Sequence, residues 1–169
     1  MSKPELIRSL FDYNEYANDY VIRESAELTE DELRKGRGAS WGSIEANLIH
    51  ITDAQLSWVE RWRDGRWTSP LLEDQEAHGI AEIKQAFSRS HDELQRFVGA
   101  TSNAQLDKEL EYEAWRGGTH RMLLWQLMIQ LMNHGTHHRA EICMALTAMG
   151  RAVKELDYHF FEQERGGPS

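Results

Sequence analysis

The chain contains a single cysteine, Cys143, among 169 residues, and only three prolines. One cysteine excludes an intrachain disulfide and any thiolate cluster. No uninterrupted apolar run approaches the roughly 20 residues needed to cross a bilayer, so the sequence offers no membrane-spanning helix. Cationic excess is missing as well: 19 Lys and Arg stand against 28 Asp and Glu, for a formal net charge of -9. Without a basic stripe to replace counterions, binding to nucleic acid or to an anionic membrane surface is not expected. The first twenty residues carry Asp12, Glu15 and Asp19 where an export signal would be apolar, which leads us to expect a cytoplasmic protein.

Several catalytic signatures are also missing. There is no HExxH, GxSxG, GxxxxGK[ST] or GxGxxG, so metalloprotease, α/β-hydrolase and nucleotide-binding readings lack their anchors. No histidine has a glutamate three residues before it, which excludes the usual di-iron bundle pattern.

What remains is an ordinary globular composition, 40% hydrophobic and 28% charged, on a chain of the length of one domain. Folding at this size buries about 70% of the unfolded surface, enough for a core without disulfides. We expect one domain over residues 1–169, with its core at 3–164. Long amphipathic segments alternate with short Gly, Pro and polar breaks, the pattern of an all-α helical bundle.

Leu6, Leu10, Phe11, Asn14, Ala17, Val21 and Leu28 recur at helical spacing after Pro4 and predict a first helix over 3–28. Thr29 to Leu33 reads as an N-capped short turn, and Gly36 and Gly38 precede a capping serine at Ser40 or Ser43. A second long helix follows, with Ile44, Leu48, Ile51, Trp58, Val59 and Trp62 as its stripe, and ends near Gly65. Residues 66–79, with Pro70, read as a loop. Ile80, Ile83, Phe87, Leu94, Phe97 and Val98 mark a third helix, closed by the polar run 99–105. Leu110, Tyr112 and Trp115 ahead of Gly117-Gly118 signal a short hairpin. A fourth helix spans 123–149 before Gly150, and a short helix over 156–164 completes the chain.

NHGTHHRAE, residues 133–141, holds three of the eight histidines. On a helix His134 and His138 lie about 40° apart, close enough to reach one ion from adjacent turns. Both fall on the stripe of Leu124, Leu127, Leu131, Ile142, Ala145 and Met149, while His137 points about 100° away. Two imidazoles on an apolar stripe need either hydrogen-bonded neighbours or a cation, and the helix by itself leaves both remedies open. An open zinc-type site requires a third protein ligand from another element. His50, in NLIHITDAQ, is the best candidate, although the aliphatic stripe of its helix is centred more than about 90° from it. His78, His91, His120 and His159 sit among polar or loop residues and read as structural or solvated. Cys143 points about 140° from His138 and reads as a packing residue rather than a nucleophile.

The blocks SLFDYNEYAN, SIEANLIHITDAQLSWVER and NHGTHHRAEICMALTAMG, in this order and separation, resemble the DinB/YfiT-like family of four-helix-bundle metalloproteins across nearly the whole chain. The resemblance implies an up-down-down-up bundle with a three-histidine metal site formed by His50, His134 and His138. Where that family frequently has Arg-Gly-Gln after the last histidine, this chain has Arg139-Ala140-Glu141, so Glu141 could hold His137 or His138 by a hydrogen bond. Imidazoles suit Zn or Ni first, with Fe, Co and Mn also compatible.

Such a site, if open, implies a metal-dependent enzyme, and the resemblance to similar proteins implies that it activates a low-molecular-weight thiol as an S-transferase, with hydrolysis of a small substrate through activated water as the second choice. The alternative is a non-catalytic metal-binding or small-ligand-binding homodimer, for which Trp58, Trp62 and Trp67 could supply an aromatic interface or simply core. A third reading leaves the histidines as a satisfied polar core without an ion.

Overall fold

Ser2 caps the first helix: the Glu5 N–H donates to Ser2 Oγ at 3.4 Å and the Ser2 N–H donates to Glu5 Oε2 at 2.6 Å, with Pro4 in the first turn. The computed structural model describes residues 1–36, 40–65, 78–114 and 117–166. Gly38, Trp67, Pro70, Trp115 and most of the predicted loop at 66–79 lie outside the described residues.

Helix α1 (Lys3–Ser25) ends before Leu28, where the apolar spacing had carried it. Thr29 must be extended (φ -68°, ψ 160°) to cap α2 (Glu30–Arg34), so the chain leaves the helix first. Leu28 is nonetheless 8% exposed, buried from a turn rather than from a helix. Ser43 caps α3 (Ile44–Asp64) by accepting from the Ala46 N–H at 3.0 Å. Gly65 ends α3 at φ 71°, and a Cβ there would sit 3.1 Å from the Glu111 carbonyl oxygen. Helix α4 (Ile80–Ala100) passes through Gly99, and a one-turn helix α5 (Asn103–Leu106) interrupts the polar run expected to be loop. Its signal was present as Ser102 and Gln105, which form a capping box.

Strands β1 (Glu109–Glu113) and β2 (Thr119–Leu123) form the expected antiparallel hairpin, pairing Leu110 with Met122 and Tyr112 with His120. The last long helix, α6 (Leu124–Ala148), ends as predicted at Gly150, whose φ of 79° lets the Arg151 N–H reach the Leu146 carbonyl. Helix α7 (Tyr158–Gly166) is displaced two residues from the predicted segment.

Side-chain pairings fix the direction of each long helix. Lys3 lies over the Trp125 ring while Arg139 reaches Asn14 and Asn18, so α1 and α6 run parallel. Asp12 meets Gln95, whereas Asp19 and Ile22 share a groove with Lys84 and Phe87, so α1 and α4 run antiparallel. Gln55 meets Ser90, and Arg63 meets Glu93 farther along, so α3 and α4 are parallel. Asn47 meets His138, and Trp58 packs on Tyr112 just ahead of α6, so α3 and α6 are antiparallel. The result is an up-down-down-up bundle with α1, α4, α3 and α6 around its axis, as the resemblance implied.

The interior consists of two apolar clusters. One, toward the hairpin, contains Phe11, Trp62, Leu94, Leu127 and Met128; the other contains Val21, Leu48, Ile51, Phe87 and Ile142. Each fully buried Leu, Ile or Phe contributes about 1.5–3 kcal/mol. Trp62 is 4% exposed and belongs to the core, and partly buried Trp58 packs against the same cluster.

A polar layer separates the clusters and draws on every long helix. Gln55 Oε1 accepts from Asn14 and Asn18 at 2.8 and 3.0 Å, and Gln55 Nε2 donates to Ser90 Oγ at 2.8 Å. Arg139, 2% exposed, donates to Asn14 Oδ1, Asn18 Oδ1 and Thr136 Oγ1 at 2.8 to 2.9 Å. Gly135 makes room for it: a Cβ there would lie 2.7 Å from Arg139 Nη1.

Candidate metal centre

His50 comes from α3 and His134 and His138 from α6, and the packing of these two helices brings all three side chains together. One nitrogen from each lies within 4.8 Å of the others. Ring centroids are 4.8 Å apart for His50 and His134, 4.7 Å for His50 and His138, and 4.5 Å for His134 and His138. The rings are close to mutually perpendicular, at 68°, 81° and 75°. Among the described residues, this is the group of histidines, cysteines and carboxylates able to hold a metal ion.

Periodicity had left the orientation of His50 open because the stripe of α3 points elsewhere. In the fold α3 is packed by α2, α4, α6 and β1, so its buried surface is much wider than one stripe. Asn47, Leu48, Ile51, Thr52 and Gln55 are all buried, and half-buried His50 faces α6 within that surface. On α6 the stripe predicted both histidines inside. His138 is 7% exposed, while His134 is only half-buried, because the centre of the buried face falls nearer Gly135, Arg139 and Ile142.

The surroundings of His138 select its tautomer. Its Nδ1 lies 3.0 Å from Asn47 Oδ1 and 3.2 Å from Glu141 Oε2, both acceptors, so Nδ1 carries the proton and the Nε2 lone pair is left for coordination. The Asn47 amide is itself oriented: its Nδ2 donates to the Ser43 carbonyl at 2.8 Å, which turns Oδ1 toward the imidazole. Glu141 is fixed by the Ser40 N–H at 3.3 Å and Ser40 Oγ–H at 2.8 Å. Of the two partners the sequence allowed Glu141, the structure therefore selects His138. His137 is exposed, with its ring centroid 6.5 Å from that of His138, and stands apart from the three converging imidazoles.

Burial disfavours the charged forms of His134 and His138. Burial, followed by the neighbouring His138 and His50, lowers the pKa of His134 to about 4. Burial also lowers that of His138, although the hydrogen bond it donates to Glu141 opposes the shift. Burial raises the Glu141 pKa, but hydrogen bonds from Ser40 and His138 outweigh it, so the carboxyl stays below its usual range. Burial pushes the Cys143 thiol up, in keeping with a packing role.

The donor set fits a divalent transition ion. Three nitrogens around tetrahedral zinc stand about 3.4 Å apart for Zn–N bonds of about 2.0–2.1 Å, so side-chain rotation of about an ångström closes the cluster. A shallow, open groove of about 420 Å³ along α6 is lined by Gln126, Ile129, Gln130, Asn133, His134 and His137 and borders the cluster at His134. A second groove of about 440 Å³, between α1 and α4, does not touch the cluster. His78 pairs with Glu82 and His91 with Glu15, both away from the cluster.

Sequence reasoning missed two neighbours of the site. In the sequence Arg139 figures only as part of Arg139-Ala140-Glu141, and the fold buries it in the polar layer next to His138. Trp41 stacks on the His50 ring at 4.0 Å and 23°, and its only sequence signal is its position just ahead of the Ser43 cap.

Comparison with known proteins agrees with the fold. The family model described as DinB family matches residues 1–167. Protein DinB of Bacillus subtilis (strain 168) is 27% identical over 159 residues, covering 90% of this chain and 91% of its own length. A crystal structure of a DinB-like protein from Bacillus subtilis shares the fold with a TM-score of 0.63 and 15% identity, covering 86% of this chain and 95% of that one. Among the described residues, no helix is long and apolar enough to cross a membrane.

Proposed function

The chain belongs to the DinB family, and we propose that its His50, His134 and His138 hold one divalent transition metal ion, zinc or nickel first, in an enzyme that activates a small thiol or water. The observation that carries this reading is the fixed tautomer of His138. A histidine whose Nδ1 is bound to Asn47 and Glu141, and whose ring centroid lies 4.7 and 4.5 Å from those of two other histidines, has the arrangement of a metal ligand. A bound ion would supply Lewis acidity, lowering the pKa of a thiol or water enough to give a nucleophile near neutral pH.

The protein's own groups divide the remaining tasks. Asn47 and Glu141 orient His138, the depressed pKa of His134 keeps that imidazole unprotonated, and the groove along α6 admits a small molecule as far as His134. Transfer of a thiol to an electrophilic small molecule is the preferred reaction, with hydrolysis second. The expected partners are a low-molecular-weight thiol and a second copy of this chain.

A non-catalytic metal-binding or ligand-binding dimer is the second reading, and one observation favours it. The carboxylate that touches the cluster, Glu141, is committed to His138 and Ser40, so it is not free as a general base.

Elemental analysis of protein made without a histidine tag tests the shared premise. About one equivalent of metal is expected, lost in His134→Ala and in His138→Ala. Metal-loaded protein that conjugates thiols to electrophiles, with activity lost in His134→Ala, supports the enzyme. Stoichiometric metal with neither conjugation nor hydrolysis leaves the binding protein.

A further inference from the structure

Trp41 lies in the short segment that leads into α3. This segment is pinned at both ends. Ser40 is clasped by Glu141 through its N–H and its hydroxyl, and Ser43 caps the helix while its own N–H donates to the Trp41 carbonyl at 3.1 Å. The indole therefore has a defined place, and that place is face to face with the imidazole of His50, at a centroid distance of 4.0 Å and an angle of 23°. Trp41 is 38% exposed, so the stack forms an outer wall over His50 rather than part of the apolar core.

Stacking and coordination use orthogonal parts of an imidazole. A stack engages the π face, whereas a ligand bond uses a nitrogen lone pair in the ring plane. A flat contact can thus set the rotation of the ring without consuming a nitrogen. His138 is oriented by hydrogen bonds to Nδ1, and the perpendicular angle of 81° between its ring and that of His50 requires an equally defined plane for His50.

We propose that Trp41 is a positioning residue of His50: its indole holds the imidazole plane so that a nitrogen edge points at His134 and His138, and it covers that ligand from solvent. The assignment rests on the metal-site reading above. It also links the two helices, because Glu141 anchors the segment that carries Trp41 and orients His138 as well.

The experiment compares the unaltered protein with Trp41→Ala and Trp41→Phe, with far-UV circular dichroism confirming the helical content of each. In metal-free protein, the His50 ring protons should appear upfield by NMR through the indole ring current and return toward ordinary positions in Trp41→Ala. Zinc affinity, measured by competition with a chromophoric chelator, should fall about tenfold in Trp41→Ala and recover to within about threefold of the unaltered protein in Trp41→Phe. If the unaltered protein binds zinc and Trp41→Ala binds it equally tightly, the positioning role is overturned while the metal site stands. If the unaltered protein takes up no ion, both fall together. A loss of affinity that Trp41→Phe does not recover, with His50 resonances unmoved, also overturns the assignment.

Discussion

Asn47 Oδ1 stands 3.0 Å from Nδ1 of His138, across the seam between two antiparallel helices. The contact ties the first turn of α3 to the middle of α6, with the His138 ring centroid 4.7 Å from that of His50 and 4.5 Å from that of His134. An amide is suited to this place because it accepts from the imidazole through Oδ1 while donating to the Ser43 carbonyl through Nδ2.

Asn47→Ala and Glu141→Ala should each weaken zinc binding about tenfold or more, in keeping with the usual effect of removing a partner of a ligand histidine. Circular dichroism should show the fold retained. Unchanged zinc affinity in both variants would refute the orienting role of this pair.

Acid should destabilise the metal-free protein in a definite window. The unfolded His134 takes up its proton near its ordinary pKa of 6.5, whereas the folded one waits until about 4. Between these values the unfolded state binds more protons, so stability falls as pH falls and levels off below about 4. The shift sets a ceiling of about 3 kcal/mol, reduced by partial solvent screening of a half-buried group. Urea melts from pH 7 to 4 should show this slope, and His134→Gln should flatten it. A slope unaffected by His134→Gln would locate the titration elsewhere.

Gly135→Ala gives two opposed terms. Alanine gains about 1 kcal/mol of helix propensity over glycine. Its Cβ, however, would lie 2.7 Å from Arg139 Nη1, and that nitrogen is held by Asn14 and Asn18 and cannot easily retreat. Overpacking of about 1–3 kcal/mol should win, so thermal unfolding is expected at a lower temperature. A raised melting temperature would mean that the guanidinium gives way freely.

The polar layer should respond asymmetrically. Arg139 is a buried cation hydrogen-bonded to the neutral side chains of Asn14, Asn18 and Thr136, and burial lowers its pKa. Asn14→Leu removes one acceptor but keeps the charge, and should cost about 3 kcal/mol or more. Arg139→Met removes the charge along with its desolvation penalty, and should cost less despite leaving Asn14 and Asn18 short of a donor. Denaturant midpoints and slopes for both variants decide the order.

Much of this architecture was legible in the sequence because its signals are local. The i, i+4 spacing of His134 and His138, the Ser43 and Gly65 ends of α3, and the Gly117-Gly118 turn depend on near neighbours. Leu28 was misplaced into a helix because burial and helicity produce the same apolar spacing until a cap such as Thr29 intervenes. His50 could be oriented only by resemblance, since a helix enclosed on several sides has no single buried stripe. Arg139 and Trp41 escaped for a related reason: a buried guanidinium and a stacked indole are products of tertiary neighbours, which residue type does not announce.

Leucines and isoleucines can slide past one another at modest cost, and an interior of apolar clusters alone would tolerate a helix shifted along its axis. The Asn14, Asn18, Gln55, Ser90 and Arg139 layer does not. A shift of one turn, about 5.4 Å, would strand a guanidinium and several amides among aliphatic side chains. The layer acts as a vernier, with a single setting at which α1, α3, α4 and α6 all match. At that setting the level of His50 on α3 coincides with that of His134 and His138 on α6, so the meeting of the three imidazoles depends on amides that never touch them.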